Sequence, residues 1–177
     1  MKNILVLFIS FVFLCQVSTA YSEEALEKET ISALQLALEK DPENPKLLSE
    51  LGLAFLKRKQ YQRAIKPLEK SLKIRKDDSK THFHLALAYG AVGRHPEKLK
   101  ELLEAVRLSP NAAEVNFKLA LAYAANKRHQ EASEFYKKAI KLDPDYPEAH
   151  YFLALSYFLT NRYKEALASI KESIRLA

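Results

Sequence analysis

Three features of this sequence predict an all-α fold of paired, stacked helices. A short pattern returns every 34 residues, prolines return on the same step, and only three of the 177 residues are glycine. That is too few for the tight turns of a β-rich or nucleotide-binding fold. About half the chain is apolar (48%) and about a quarter charged (28%), so it can build a core and is not a disordered polymer.

The first element, residues 1–20, reads as an address. Met1-Lys2-Asn3 is a short basic start, and Ile4 to Leu14 is apolar apart from Ser10. Ser18 and Ala20 are small residues where a signal peptidase reads, which places cleavage after Ala20 and the protein in a secreted or periplasmic location. The apolar run is short for a bilayer span, and retention as an anchor is the alternative. Cys15 follows Phe13 and Leu14, which are large where a lipoprotein signal wants small residues. With the segment removed the mature chain has no cysteine, no permanent membrane span and no thiolate metal site.

Residues 21–44 come next. Leu34, Ala37, Leu38, Asp41 and Pro42 carry the phase of the second helix of a later pair, so 22–40 is expected to form an N-terminal capping helix. Glu23, Glu24, Glu27 and Glu29 suit a helix start.

Four units come after it, at 45–78, 79–112, 113–146 and 147–177. Leu51-Gly52-Leu53-Ala54-Phe55 returns as Leu85 to Tyr89, as Leu119 to Tyr123 and as Leu153 to Tyr157. On the same step come Ala64, Ala132 and Ala166; Leu68, Leu102, Tyr136 and Ile170; and Pro42, Pro110 and Pro144. Leucine and ring at i and i+4 share one helix stripe, and the small residue at i+1 lets a neighbouring helix approach. Each proline stops one helix before the next begins. Two departures stand out. Lys98 replaces the small alanine of the second unit, which predicts looser packing there, and Lys76 replaces the proline after the first, which predicts a softer boundary.

This spacing and residue set resembles the tetratricopeptide repeat, a helix-turn-helix of 34 residues, over about residues 45 to 177 plus half a unit before. The resemblance implies a right-handed superhelical solenoid whose first helices line a concave surface that binds protein. It also implies the contact positions. The fifth residue of each unit is Ser49, Phe83, Phe117 and Tyr151; the ninth is Leu53, Leu87, Leu121 and Leu155; the twelfth includes Leu56 and Phe158. Lys46, Lys57, Lys80, Glu114, Lys118 and Glu148 fall at the edges. The family's clamp for a terminal carboxylate uses lysine at the fifth position and asparagine at the ninth, and neither is here. An apolar ladder suits an amphipathic helix or an apolar peptide. It also suits plain packing between units, and that reading stands beside the first. An array ending at Ala177 is expected to leave Leu153, Tyr157, Ile170 and Ile174 partly uncovered, for docking or for self-association as a structural homo-oligomer.

The remaining chemistry is sparse. The five histidines follow the repeat rather than metal geometry: His82 and His150 share one position, His95 and His129 another. No His-Glu-x-x-His pair, phosphate-cradling glycine loop or Gly-x-Ser-x-Gly elbow is present. The reading is therefore of a protein that is not an enzyme, with no cofactor and no small-molecule substrate. The net charge of +6 includes Lys57-Arg58-Lys59 and Lys70, Lys73, Arg75 and Lys76, but these form no basic stripe with aromatics beside it, and nucleic acid is not an expected partner. The function expected is that of an exported scaffold for protein–protein interaction, helping an envelope complex assemble.

Overall fold

A computed structural model describes residues 28–177. The address segment, its cleavage point, Cys15, and Glu23, Glu24 and Glu27 of the capping helix lie outside the described residues.

Helix α1 is described over 28–40. Then come α2 (Pro45–Lys57), α3 (Tyr61–Ile74), α4 (Ser79–Ala91), α5 (His95–Leu108), α6 (Ala113–Ala125), α7 (His129–Leu142), α8 (Pro147–Leu159) and α9 (Tyr163–Leu176). The first helix of every pair starts 34 residues after the last, as does the second. Each pair packs along its length and docks on the next through the following first helix. First helices also touch each other, α2 with α4 and α6 with α8, while no two second helices do so comparably among the described residues. The first helices therefore form the tighter, inner row of a helical solenoid.

Local chemistry explains the elements. Asn44 caps α2 by accepting from the backbone N–H of Lys46 and Leu47, and Asp78 caps α4 by accepting from Lys80 and Thr81. Between the helices of each pair the chain turns through a left-handed residue: Lys59, Gly93, Lys127 and Asn161, with φ of 56°, 80°, 59° and 61°. Glycine and asparagine take that conformation cheaply, whereas lysine is strained in it. The turn is held by the next residue, whose N–H bonds the carbonyl of the ring residue ending the stripe: Gln60 to Phe55, Arg94 to Tyr89, Arg128 to Tyr123 and Arg162 to Tyr157. Each of the three arginines also lies over that same ring, 4.3–4.5 Å from its centre, and pairs with the glutamate three residues on. In the first unit Arg63 covers Phe55 instead.

The core runs through the stack as two clusters. One joins Ile31 of α1 to Leu51, Phe55, Ala64, Leu68, Leu85 and Tyr89, with Leu34 and Leu38 packed against it, so α1 does cover the first pair. The other is built on Leu102, Phe117, Leu119, Tyr123, Tyr136, Leu153 and Tyr157. The small residue of the stripe does what its spacing implied: a Cβ on Gly52 would sit 2.4 Å from Leu68 Cγ.

The second unit corrects an expectation. α4 and α5 pack as extensively as the other pairs despite Lys98. Gly90 makes the room, since a Cβ there would lie 2.9 Å from Lys98 Cδ. The boundary at Lys76 is likewise held as the proline boundaries are. His82 Nε2 donates to the Lys76 carbonyl (2.9 Å), as Asn116 Nδ2 does to Pro110 (2.9 Å) and His150 Nε2 to Pro144 (3.1 Å).

Candidate protein-interaction surface

The expected ladder lies on the inner row of first helices, and its rungs are not equivalent. At the fifth position Ser49 is half-buried and shares a 2.8 Å hydrogen bond with the Thr81 hydroxyl. Phe83 is half-buried beside the His84 ring. Phe117 corrects the expectation outright. It is buried among Tyr146, Tyr136 and Phe152, with ring centres 4.7, 5.8 and 5.9 Å away, and is a core residue rather than a contact. Tyr151, one unit on, is 49% exposed. At the ninth position Leu53, Leu87 and Leu121 are half-buried, while Leu155 is exposed. At the twelfth, Leu56 packs against the N-terminal core cluster, while Phe158 is exposed with its edge toward Tyr163, 5.7 Å between centres. The ladder is thus partly shielded along its length and opens at the last unit.

Two clefts interrupt it. One, about 430 Å³, lies between α8 and α9 and is lined by Tyr151, Ala154, Leu155, Phe158, Tyr163, Ala166, Leu167 and Ile170. The other, about 270 Å³, lies between α6 and α8 over α7, with Leu121, Ala124, Leu155 and Leu159 as walls. His129 and Tyr136 also line it, and His129 Nδ1 and Tyr136 Oη are buried without a hydrogen-bond partner among the described residues. Of the charged residues expected at the edges, Lys46, Lys57, Lys80, Glu114 and Glu148 are exposed, and Lys118 lies over the Phe117 ring at 5.7 Å.

The last unit carries a second correction. Leu153 and Tyr157, expected to be partly uncovered, are buried at 6% and 7% exposure, because their stripe faces back toward α7. Ile170 is half-buried and Ile174 fully open. The sequence pattern at the ladder positions does not point to Leu159, Tyr163 and Leu167, all exposed. Tyr163, Leu167, Ile170 and Ile174 succeed one another at steps of four, three and four, an apolar stripe that could have been read from α9 itself.

His82 and His84 are packed within the fold. His82 sits between the Lys76 carbonyl and the Glu101 carboxylate, 2.6 Å from Nδ1. The Glu101 hydrogen bond raises its pKa, and burial opposes this only in part. His84 goes the other way, because burial disfavours its charged form. Among the described residues no three His, Cys, Asp or Glu side chains are placed to hold a metal ion, and no helix is long and apolar enough to cross a membrane.

A stack of paired helices with this beat, small-residue stripe and inner groove defines a class of protein-binding solenoid. The chain belongs to the tetratricopeptide-repeat family: models of the repeat match residues 33–66, 125–161 and 147–177. Solved structures agree. A crystal structure of MamA superposes with a TM-score of 0.79 at 25% identity, covering 82% of this chain and 85% of that one. A second MamA structure gives 0.81 at 24% identity, covering 86% and 84%. MamA from Desulfovibrio magneticus RS-1, from its residue 41 to its end, gives 0.79 at 23% identity, covering 85% of each. No curated protein sequence matches this one. Fold and family make the chain a scaffold for protein–protein interaction.

Proposed function

We propose that this chain is an exported scaffold that performs no chemistry of its own and holds an apolar or amphipathic helical segment of a partner protein along its inner row of helices, in assembly of an envelope complex. The observation that carries the reading is the ladder of Leu53, Leu87, Leu121 and Leu155, half-buried to exposed, one per unit along a single face. A ligand helix meets such a ladder with apolar residues on one stripe, and a few central contacts supply most of the energy.

Export rests on the basic start, apolar run and Ser18-Thr19-Ala20 end of the first twenty residues. Terminal sequencing of the protein from its host should give Tyr21 as the first residue and an extracytoplasmic fraction as its source. An intact Met1 in the cytoplasm would refute this. For the groove, the paired change Leu87→Glu with Leu121→Glu should abolish recovery of the partner from envelope extracts while leaving the helical spectrum intact. Recovery equal to that of the unchanged protein would remove the groove as the site. Phe117 cannot serve in such a test, because a carboxylate at a buried position would unfold the unit.

A further inference from the structure

Between the third and fourth units the inter-unit face is a cluster of rings, and no described helix follows the matching face of the last unit. Phe117 of α6 and Tyr136 of α7 lie beneath Tyr146 and Phe152 at the start of α8. The residues in those two positions of the last unit are Tyr151 and Ile170, and among the described residues no later helix lies over them. Tyr151, Phe158 and Tyr163 are about half exposed, as are Leu155 and Leu167, and Ile174 is 71% exposed. Taking about 200 Å² for a ring-bearing side chain and about 150 Å² for an aliphatic one, these six present roughly 600 Å² of apolar surface. A homodimer interface of standard size buries about 800 Å² per partner, about 65% of it apolar, or roughly 500 Å². The patch is therefore as large as a stable pair of subunits needs.

Its shape and charge favour a second copy of the same chain. A two-fold interface must be complementary to itself, so it needs both a ridge and a groove. Tyr163, Leu167 and Ile174 stand as a ridge along α9, next to the 430 Å³ cleft against α8. Charge discriminates between the two ends of the molecule. The unit at 45–78 holds ten Lys and Arg against four Asp and Glu, and would repel its own copy. In the unit at 147–177, Arg162, Lys164, Lys171 and Arg175 stand against Glu148, Glu165 and Glu172, so two copies meet there at small cost. We infer that two copies associate through the α8–α9 face about a two-fold axis, the Leu167–Ile174 ridge of each entering the cleft beside Tyr151, Leu155 and Phe158 of the other.

Sedimentation velocity of the purified protein from about 1 to 200 µM tests this, with the transition from monomer to dimer expected in the micromolar range. Leu167→Glu and Ile174→Glu should each weaken association at least tenfold. Both side chains are more than half exposed, so each variant should keep its helical spectrum. The groove variant carrying Leu87→Glu and Leu121→Glu should dimerise normally, so this inference and the groove reading fail separately. A single monomeric species at every concentration would overturn the inference. So would a dimer indifferent to both α9 changes, or binding of an unrelated helix to this face in place of the second copy.

Discussion

Phe117 and Tyr151 hold the same place in consecutive units, yet one is sealed beneath α8 and the other stands half in solvent. Their own helices are alike: α6 and α8 are the same length, carry the same Leu-Ala-Leu stripe and pack on their second helices equally well. The difference lies in the next unit. In a solenoid each pair supplies the floor of a site and its successor supplies the lid. For a side chain on the forward face, core or surface is therefore decided by the next unit rather than by the repeat position.

Truncating both rings puts this contrast under the greatest load. Phe117→Ala should destabilise by about 3–5 kcal/mol, since it empties a cluster of four rings. Tyr151→Ala should cost less than about 1 kcal/mol, as a surface change does. Urea unfolding followed by circular dichroism measures both, in the monomeric Leu167→Glu background. Equal losses there would mean that Tyr151 is covered within the single chain.

A smaller contrast separates the first unit from the second. Gly52→Ala drives a methyl group into Leu68, which is fully buried and cannot retreat, and should cost about 1–3 kcal/mol even after the gain in helix propensity. Gly90→Ala meets only the flexible stem of Lys98 and should lie between neutral and about 1 kcal/mol stabilising. If both changes cost the same, Lys98 is pinned and the compensation between these two positions is wrong.

The smallest effect compares the second unit with the third. His82 and Asn116 make the same bond to the carbonyl at the boundary, but only His82 titrates. Its folded pKa is raised by Glu101, so its contribution is fully present below the ordinary histidine pKa of about 6.5 and is lost as pH rises through the folded value. His84, whose pKa is lowered by burial, has the opposite sign: its contribution is present above that pKa and is lost as pH falls. The net slope mixes the two, so the informative quantity is a difference. His82→Asn should keep the carbonyl bond and remove the component that declines with rising pH, seen as unfolding midpoints of variant and parent that converge toward alkaline pH. A constant gap between them would show that His82 is not charged in the folded state.

Much of this architecture was legible in the sequence because a strict beat fixes phase. The starts of the four first helices at 45, 79, 113 and 147 and the close approach at Gly52 derive from it. The hidden features were relational. The sealing of Phe117 depends on Tyr146 and Phe152, which come from the next unit and carry no mark in the sequence as its lid. Leu153 and Tyr157 look exposed when the last unit is considered alone, and are buried because they face backward. Lys98 reads as a defect until Gly90 is placed opposite it. One signal was present without its meaning being plain. Arg94, Arg128 and Arg162, each with a glutamate three residues on, keep the beat, and they staple the turns rather than merely solvating them.

If the forward face of each unit is sealed by its successor, amide hydrogen exchange in the monomeric Leu167→Glu protein reads it directly. Exchange should be slow in the middle of α7, which packs between α6 and α8, and markedly faster at the matching positions of α9, which packs on α8 and has no following helix among the described residues. Protection of α9 equal to that of α7 would contradict it.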